Sequence, residues 1–485
     1  MKTPIDAAAQ LAITTLTKQA PDASELAKLF KVAGFKLALV GGPVRDAILG
    51  RLGNDLDFTT DAHPKDSEKI LKKWADSVWD IGAAFGTVAG KKDEITVEIT
   101  TYRSESYDPT SRKPDVEFGK KPDVEFGKSI EADLARRDFT INAMALELTT
   151  DEPTFIDLFN GVADLQKKII KTPGKPEDSF SDDPLRMMRA ARFMSQLNFE
   201  VDQSVLVAIK NMAARLEIIS AERIRDEFIK IMMSQSPRLG ITLLVETGLA
   251  DHFLPEVPKL KLEIDEHHHH KDVYEHSLTV LEQAIALEDR LAGPNLTLRL
   301  AALLHDIGKP KTKQLIAGGG VSFHHHEVVG ARMCKERMKK LRFDNHIIND
   351  VSQLVFLHLR FHGYGSGEWT DSAVRRYVRD AGELLTHLHL LTRADCTTRN
   401  KKKAEGLART YDQLEERIEL LMQQEELNKI RPDLSGEQIM EILEIKPSPT
   451  VGKAYDFLLE LRLEHGPLGE EKAKQALLTW WKGQK

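Results

Sequence analysis

In the run GGPVRDAILGRLGNDLDFTTDA, residues 41 to 62, Asp55 and Asp57 stand one residue apart, downstream of Gly41, Gly42 and Arg45. Alternate side chains of a strand share a face, so these carboxylates point together while Leu56 and Phe58 enter the core. Converging carboxylate oxygens suit a hard divalent cation, Mg2+ above all. Upstream, the apolar run FKLALV reads as a buried strand entering a turn at Gly41-Gly42. Residues without a Cβ let backbone amides close on a triphosphate, and Arg45 adds a charged fork for its oxygens. A D-x-D pair or a Gly-Gly turn alone is common; in this order and spacing they predict a nucleotide-and-metal site.

The elements that must position these groups follow from periodicity. Residues 1–34 read as helix broken at Pro21, and residues 35–150 as short strands alternating with helices. In DEITVEITT, residues 93–101, Ile95, Val97 and Ile99 share one face and Thr96, Glu98 and Thr100 the other, so Glu98 is the candidate third carboxylate across a sheet. From about 151 onward, long amphipathic stretches such as DDPLRMMRAARFMSQL predict a mostly helical remainder. The octapeptide KPDVEFGK at 113–120 recurs unchanged at 121–128. That is a short tandem duplication in a loop, cheap to accommodate at about 0.6 kcal/mol per doubling of loop length.

With 485 residues, the chain is expected to hold several domains. Its net charge of -7 excludes a protein that is basic all over and confines any nucleic-acid contact to a local patch. Cys334 and Cys396 are too few for a disulfide framework, no stretch of 18 apolar residues occurs, and the N-terminal segment lacks a charged lead before an apolar core. A cytoplasmic protein without membrane spans is the expectation.

In order along the chain, GGPVRD, LGR, DLDFTTDA, RRDFTINAMAL (136–146), DLFNGVADLQKKIIKTPG (157–174), DDPLRMMRAARF (182–193) and AERIRDEF (221–228) resemble the motifs of bacterial class II tRNA nucleotidyltransferases. These CCA-adding enzymes belong to the polymerase-β-like superfamily, and bacterial poly(A) polymerases share their head. The resemblance implies an α+β fold: a polymerase-β-like nucleotidyltransferase head at 35–150 after an N-terminal helical segment at 1–34, then mostly α-helical neck (151–262), HD (263–400) and tail (401–485) domains. It implies Mg2+ on Asp55 and Asp57, with CTP, ATP and tRNA as substrates. Gly41, Gly42, Arg45 and Asn142 fall at nucleotide-contacting positions, with Arg136 or Arg137 serving the nucleotide from the other side.

In DDPLR, Asp183 and Arg186 lie three residues apart, about 60° around a helix, and are expected to present a carboxylate and a guanidinium to one base edge. Cytosine and adenine both offer an exocyclic amine beside a bare ring nitrogen, whereas uracil and guanine reverse that pattern. The pair therefore suits CTP and ATP. Arg189 and Arg192 continue at the same spacing, to orient Asp183 or reach phosphate, or else form a solvated basic face.

The second half carries VYEHSLTVL, LRLAALLHDIGKPKT, FHHHEVVGA, FLHLRFHGYG and LTRADC, which resemble in order the HD superfamily of metal-dependent phosphohydrolases. His276, His305, Asp306 and Asp395 match its core ligands, and His326 and His358 the positions used when a second metal is bound. An unidentified divalent metal and a possible phosphohydrolase activity are implied. The densest basic stripe is TTRNKKKAEG, so Arg399, Lys401, Lys402 and Lys403 are the candidate RNA contacts, a solvated helix end being the alternative. Further on, Ser435 is a possible helix cap with Gln438 three residues later, and Trp480 and Trp481 are expected to pack. Competing readings are a poly(A) polymerase, a partial CC- or A-adding enzyme, and an HD hydrolase with a degenerate RNA-binding head. Oligomeric state is not legible.

Overall fold

The computed structural model describes residues 3–82, 86–104, 125–126, 129–261, 272–315, 321–363, 370–397, 401–425 and 430–484. It divides into two units, Met1–Phe253 and Leu254–Lys485.

In the first unit, helices α1 (Pro4–Gln19) and α2 (Asp22–Val32) meet at Pro21, where the fixed proline ring ends one helix and opens the next. Strand β1 (Leu37–Val40) is buried throughout, as an all-apolar tetrapeptide in mid-sheet must be. A turn at Gly41 leads into α3 (Gly42–Ile48), and the chain returns as β2 (Asp55–Thr60). Helix α4 (Pro64–Leu71) precedes β3 (Ser77–Gly82), β4 (Thr87–Lys92) and β5 (Ile95–Thr101). Strands Met144–Glu147 and Thr154–Asp157 complete a seven-stranded sheet, so the sheet runs past residue 150. The order is β3-β4-β5-β2-β1 followed by those two strands. Among the described residues of this sheet, only β2 and β5 are parallel neighbours, and their register sets Asp57 opposite Glu98.

Alternation in β2 buries Leu56 and Phe58 and leaves Asp55 and Asp57 on the open face; Glu98 of β5 is open in the same way while Val97 and Ile99 are buried. Beyond the sheet come α5 (Ile130–Ala135), α6 (Gly161–Lys167), α7 (Pro176–Asp182), α8 (Leu185–Leu197), α9 (Gln203–Met212) and α10 (Ala221–Met232). Helix α8 buries Met187, Met188, Ala190 and Ala191, the apolar stripe of an amphipathic helix, and turns arginines toward the sheet.

Among the described residues, the regular structure of the second unit is helical apart from the two-residue strands Gln314–Leu315 and Val321–Ser322. Near its end, Gly436–Leu443 opens on a capping box: Gln438 N–H donates to Ser435 Oγ (3.2 Å) and Ser435 N–H to Gln438 Oε1 (2.8 Å). Trp480 stacks on Phe457 at 5.4 Å, within an apolar cluster built on Leu458 and Leu477, and so packs as expected. Among the described residues no helix is long and apolar enough to cross a membrane. Most of the KPDVEFGK duplication lies outside the described residues; of it, Phe126 and Glu125 pair with Arg103 and Ser104 in a short antiparallel ladder.

Candidate active site

Where β1 ends, the backbone takes φ 75° at Gly41, a left-handed conformation that suits glycine. A Cβ there would stand 2.7 Å from Arg137 Nη1, so the missing side chain is also what lets that guanidinium reach the turn. Gly41, Gly42, Arg45, Asp57, Arg137, Asp138, Asn142, Arg189 and Arg192 line one cleft of about 260 Å3, with Phe193 and Gln196 at its wall.

Polar groups around the cleft hold one another in a chain. Arg45 donates to Asp46 through Nε (3.0 Å) and Nη2 (2.8 Å), and to Asn142 Oδ1 through Nη1 (2.7 Å). Asn142 Nδ2 in turn donates to Asp138 Oδ1 (3.0 Å), and Arg189 Nε to Asp138 Oδ2 (2.7 Å). Burial alone would raise the Asp138 carboxyl, but Arg189 and the Asn142 and Phe139 donors override it and hold it at about 2. A carboxyl depressed below its ordinary 3.8 stabilises the fold fully above that value and loses the contribution as pH falls toward 2. Asp138→Asn should therefore cost about 2 kcal/mol at pH 7. Urea unfolding of both proteins should show the gap closing as pH falls below 4; a constant gap would remove Asp138's ionisation as its source.

Arg136 and Arg137 both bind the buried Asp133 (2.8 and 3.2 Å), yet only Arg137 reaches the cleft, which settles which of the two faces it. Burial raises the Asp57 carboxyl, Arg137 opposes this, and Asp55 adds to it; burial, Asp57 and Asp55 likewise raise Glu98. Three carboxyls crowded on one open face, all oxygen donors, fit a hard divalent cation, which would relieve their repulsion.

The expectation for DDPLR needs correction. Asp183 and Arg186 do not share a helix: Asp183 sits after α7 in extended backbone (φ −144°, ψ 100°), with Pro184 between it and α8. A residue before proline is disfavoured in the helical region, so the 60° argument fails at that joint. Asp183 binds Arg223 (2.7 Å), and Arg186 donates to Ser179 Oγ (2.8 Å) and the Arg136 carbonyl (2.6 Å). Arg189 and Arg192 line the cleft rather than a solvated face, Arg192 being only 8% exposed and paired with Glu227 at 2.9 Å. Asp138, Phe193 and Gln196 were not foreseen, although Phe193 and Gln196 follow Arg189 by four and seven residues on α8, the spacing of one helix face.

A second cluster lies in the second unit, where five helix ends converge. His276 comes from Val273–Ile285, His305 and Asp306 follow Leu296–Leu304, His326 opens His326–Lys340, His358 follows Asn345–Leu357, and Asp395 closes Leu385–Asp395. They form two triads, His276, His305 and Asp395, and Asp306, His326 and His358, each with ligand atoms within 4.8 Å of one another. Asp306 joins them, with Oδ2 3.2 Å from His305 Nε2 and Oδ1 3.2 Å from His326 Nε2. Three imidazoles lie with Nδ1 on a carbonyl: His305 on Ala302 (2.9 Å), His326 on Phe323 (2.8 Å) and His358 on Val355 (2.6 Å). Such bonds fix the tautomer and aim Nε2 inward. A Cβ on Gly308 would stand 2.2 Å from the His326 carbonyl, so this glycine admits the helix that brings His326. Lys309, not foreseen, lies 2.9 Å from Asp306 Oδ2. Burial depresses His358 to about 3, whereas Asp306 and Asp395 overcome burial at His305 and raise it to about 10.

Of the candidate RNA contacts, Arg399 lies outside the described residues, Lys401, Lys402 and Lys403 begin the helix Lys401–Glu425, and Lys402 is exposed.

Comparison with known proteins places this geometry. The model of the poly(A) polymerase head domain matches residues 37–171, that of the probable RNA- and SrmB-binding site of polymerase A residues 198–260, and that of the HD domain residues 273–400. CCA-adding enzymes of Enterococcus faecalis and Ligilactobacillus salivarius are 38% identical over 236 and 261 residues, 48% and 53% of this chain. Over about half its length the chain is thus similar to CCA-adding enzymes. The match spans 54% and 61% of those relatives' own length. A Bacillus stearothermophilus CCA-adding enzyme solved with CTP is similar over 100% of this chain and 99% of its own, with a TM-score of 0.69 and 22% identity. A Thermotoga maritima CCA-adding enzyme complexed with tRNA gives a TM-score of 0.58 at 19% identity, over 94% of each chain. At these identities the likeness establishes the fold, a mixed α+β head followed by mostly helical domains.

Proposed function

We propose that the chain builds or repairs the 3′-terminal CCA of tRNA from CTP and ATP, with release of pyrophosphate. The observation that carries this reading is the cleft itself, in which Arg45, Arg137, Arg189 and Arg192 face the Gly41-Gly42 turn beside the open carboxylates of β2. Four guanidiniums suit the triphosphate of one nucleotide. Asp55, Asp57 and Glu98 would hold Mg2+, which supplies charge compensation at the attacking and leaving oxygens. Arg137, held by Asp133 at 3.2 Å, is aimed at the cleft before a nucleotide arrives, which would limit the reorganisation that binding requires. Asp183, at the joint before α8, and Arg186, in the first turn of α8, are the base-reading groups. Relatives solved with CTP and with tRNA support these substrates for this chain. The His/Asp cluster would hold one or two transition-type divalent cations in a phosphohydrolase-like domain, as its imidazole and carboxylate donors suit.

The test is to incubate purified protein with tRNA lacking its last three nucleotides, offering CTP and ATP singly and together. Two C additions with CTP and a completed CCA with both are the expected products. Long A tails from ATP alone would overturn the reading in favour of a poly(A) polymerase. Within it, Gly41→Ala should raise the KM for CTP and ATP about tenfold, because strained backbone and a displaced Arg137 together cost ~1–2 kcal/mol. Steady-state kinetics with unchanged KM would show that the turn does not serve the triphosphate.

A further inference from the structure

We infer that Arg223 is a positioning residue for nucleotide choice, orienting the Asp183 carboxylate from α10. This rests on the reading of Asp183 as a base-reading group. The Asp183 side chain stands on a joint rather than on a helix, in extended backbone before Pro184, so no repeating ladder fixes where its oxygens point. Contacts from outside the joint do. Oδ1 accepts from the Leu185 N–H (3.2 Å) at the start of α8, and Oδ2 accepts from Arg223 Nη2 (2.7 Å).

Arg186 does not supply that orientation. Its Nη1 is spent on Ser179 Oγ and its Nη2 on the Arg136 carbonyl, neutral acceptors that leave its charge for another partner. Arg223 arrives from a different part of the chain, three residues into α10, which Ser220 caps through the Arg223 N–H (3.4 Å). With one oxygen held by a guanidinium and the other by a single amide, Asp183 keeps a lone pair on Oδ1 for an exocyclic amine, the donor that cytosine and adenine share. Without Arg223 the carboxylate is free to turn about its side-chain torsions and loses its aim.

The two side chains are 48% and 24% exposed, so the pair contributes little to stability and is not a fold-holding lock like the buried Arg192–Glu227 bridge. Its removal should therefore show in selectivity. The experiment measures kcat and KM for CTP, ATP, UTP and GTP on the full-length chain, as wild type, Arg223→Gln and Arg223→Lys, with thermal melts of each. The expected result is a five- to tenfold fall in the preference for CTP and ATP over UTP and GTP in Arg223→Gln, carried mainly by KM, with part of it restored in Arg223→Lys and melting little changed. A preference unaltered in both variants would overturn the inference while leaving the function standing. Should Arg223→Gln fail to fold, Arg223→Ala carries the same comparison, and full wild-type preference there would overturn the inference equally. A wild-type protein that incorporates none of the four nucleotides would instead remove the reading on which this one depends.

Discussion

Replacing Asp57 by Asn should lower nucleotide incorporation by on the order of 10³-fold, ~4 kcal/mol of transition-state stabilisation, with the fold intact. The side chain is on the open face of β2 and Leu56 and Phe58 carry the core contacts of that strand, so an isosteric amide disturbs no packing. What it removes is charge. Asp55 raises the Asp57 carboxyl, and Asp57 in turn raises that of Glu98, so neutralising Asp57 relaxes this repulsion and the variant should be at least as resistant to urea as the wild type. Loss of rate combined with unchanged or higher stability is the signature of a ligand to a reaction-centre cation. Full-speed incorporation by Asp57→Asn would sink the assignment of β2 as the reaction centre, and loss of rate with collapse of the fold would make Asp57 a structural residue.

The second large effect concerns the His/Asp cluster. Mn2+, Co2+, Ni2+ or Zn2+ at a hundredfold excess over its dissociation constant should stabilise the second unit by about 2.7 kcal/mol, raising its melting temperature by roughly 5–10 °C. His305→Ala should abolish that shift, since His305 belongs to one triad and abuts Asp306 of the other. Elemental analysis of the purified protein gives an independent readout, with metal in the wild type and little in the variant. Equal metal content and equal thermal shifts in both proteins would show that the cluster is a buried hydrogen-bonded core. A phosphodiesterase assay with the same metals then asks whether a bound cation also hydrolyses phosphoesters.

How far the sequence could be read depended on whether local periodicity governed the residue in question. Asp55, Asp57 and Glu98 were legible because strands repeat every two residues and both strands obey the rule to their ends. The convergence of the His/Asp side chains was legible because all five segments kept their order, and each of these residues stands in or at the end of a helix. Asp183 was misplaced for a reason already written beside it: Pro184 forbids the helical register that the spacing to Arg186 assumed. Asp138 was passed over although it follows Arg136-Arg137 directly, because its partner Arg189 is 51 residues away and nothing local announces a long-range ion pair. Lys309 escaped for the opposite reason: its partner Asp306 is three residues back in HDIGK, a spacing common enough to pass unnoticed.

The carboxylates of β2 are mounted mid-sheet, between strands that pin them from either side, while the groups proposed to face a nucleobase hang from α8 and the bend before it. On the proposed function, reaction and spelling are thus borne by separate parts of the molecule. A descendant lineage can revise which letters it writes by editing that helix and its approach, and the anvil on which every letter is struck need not change.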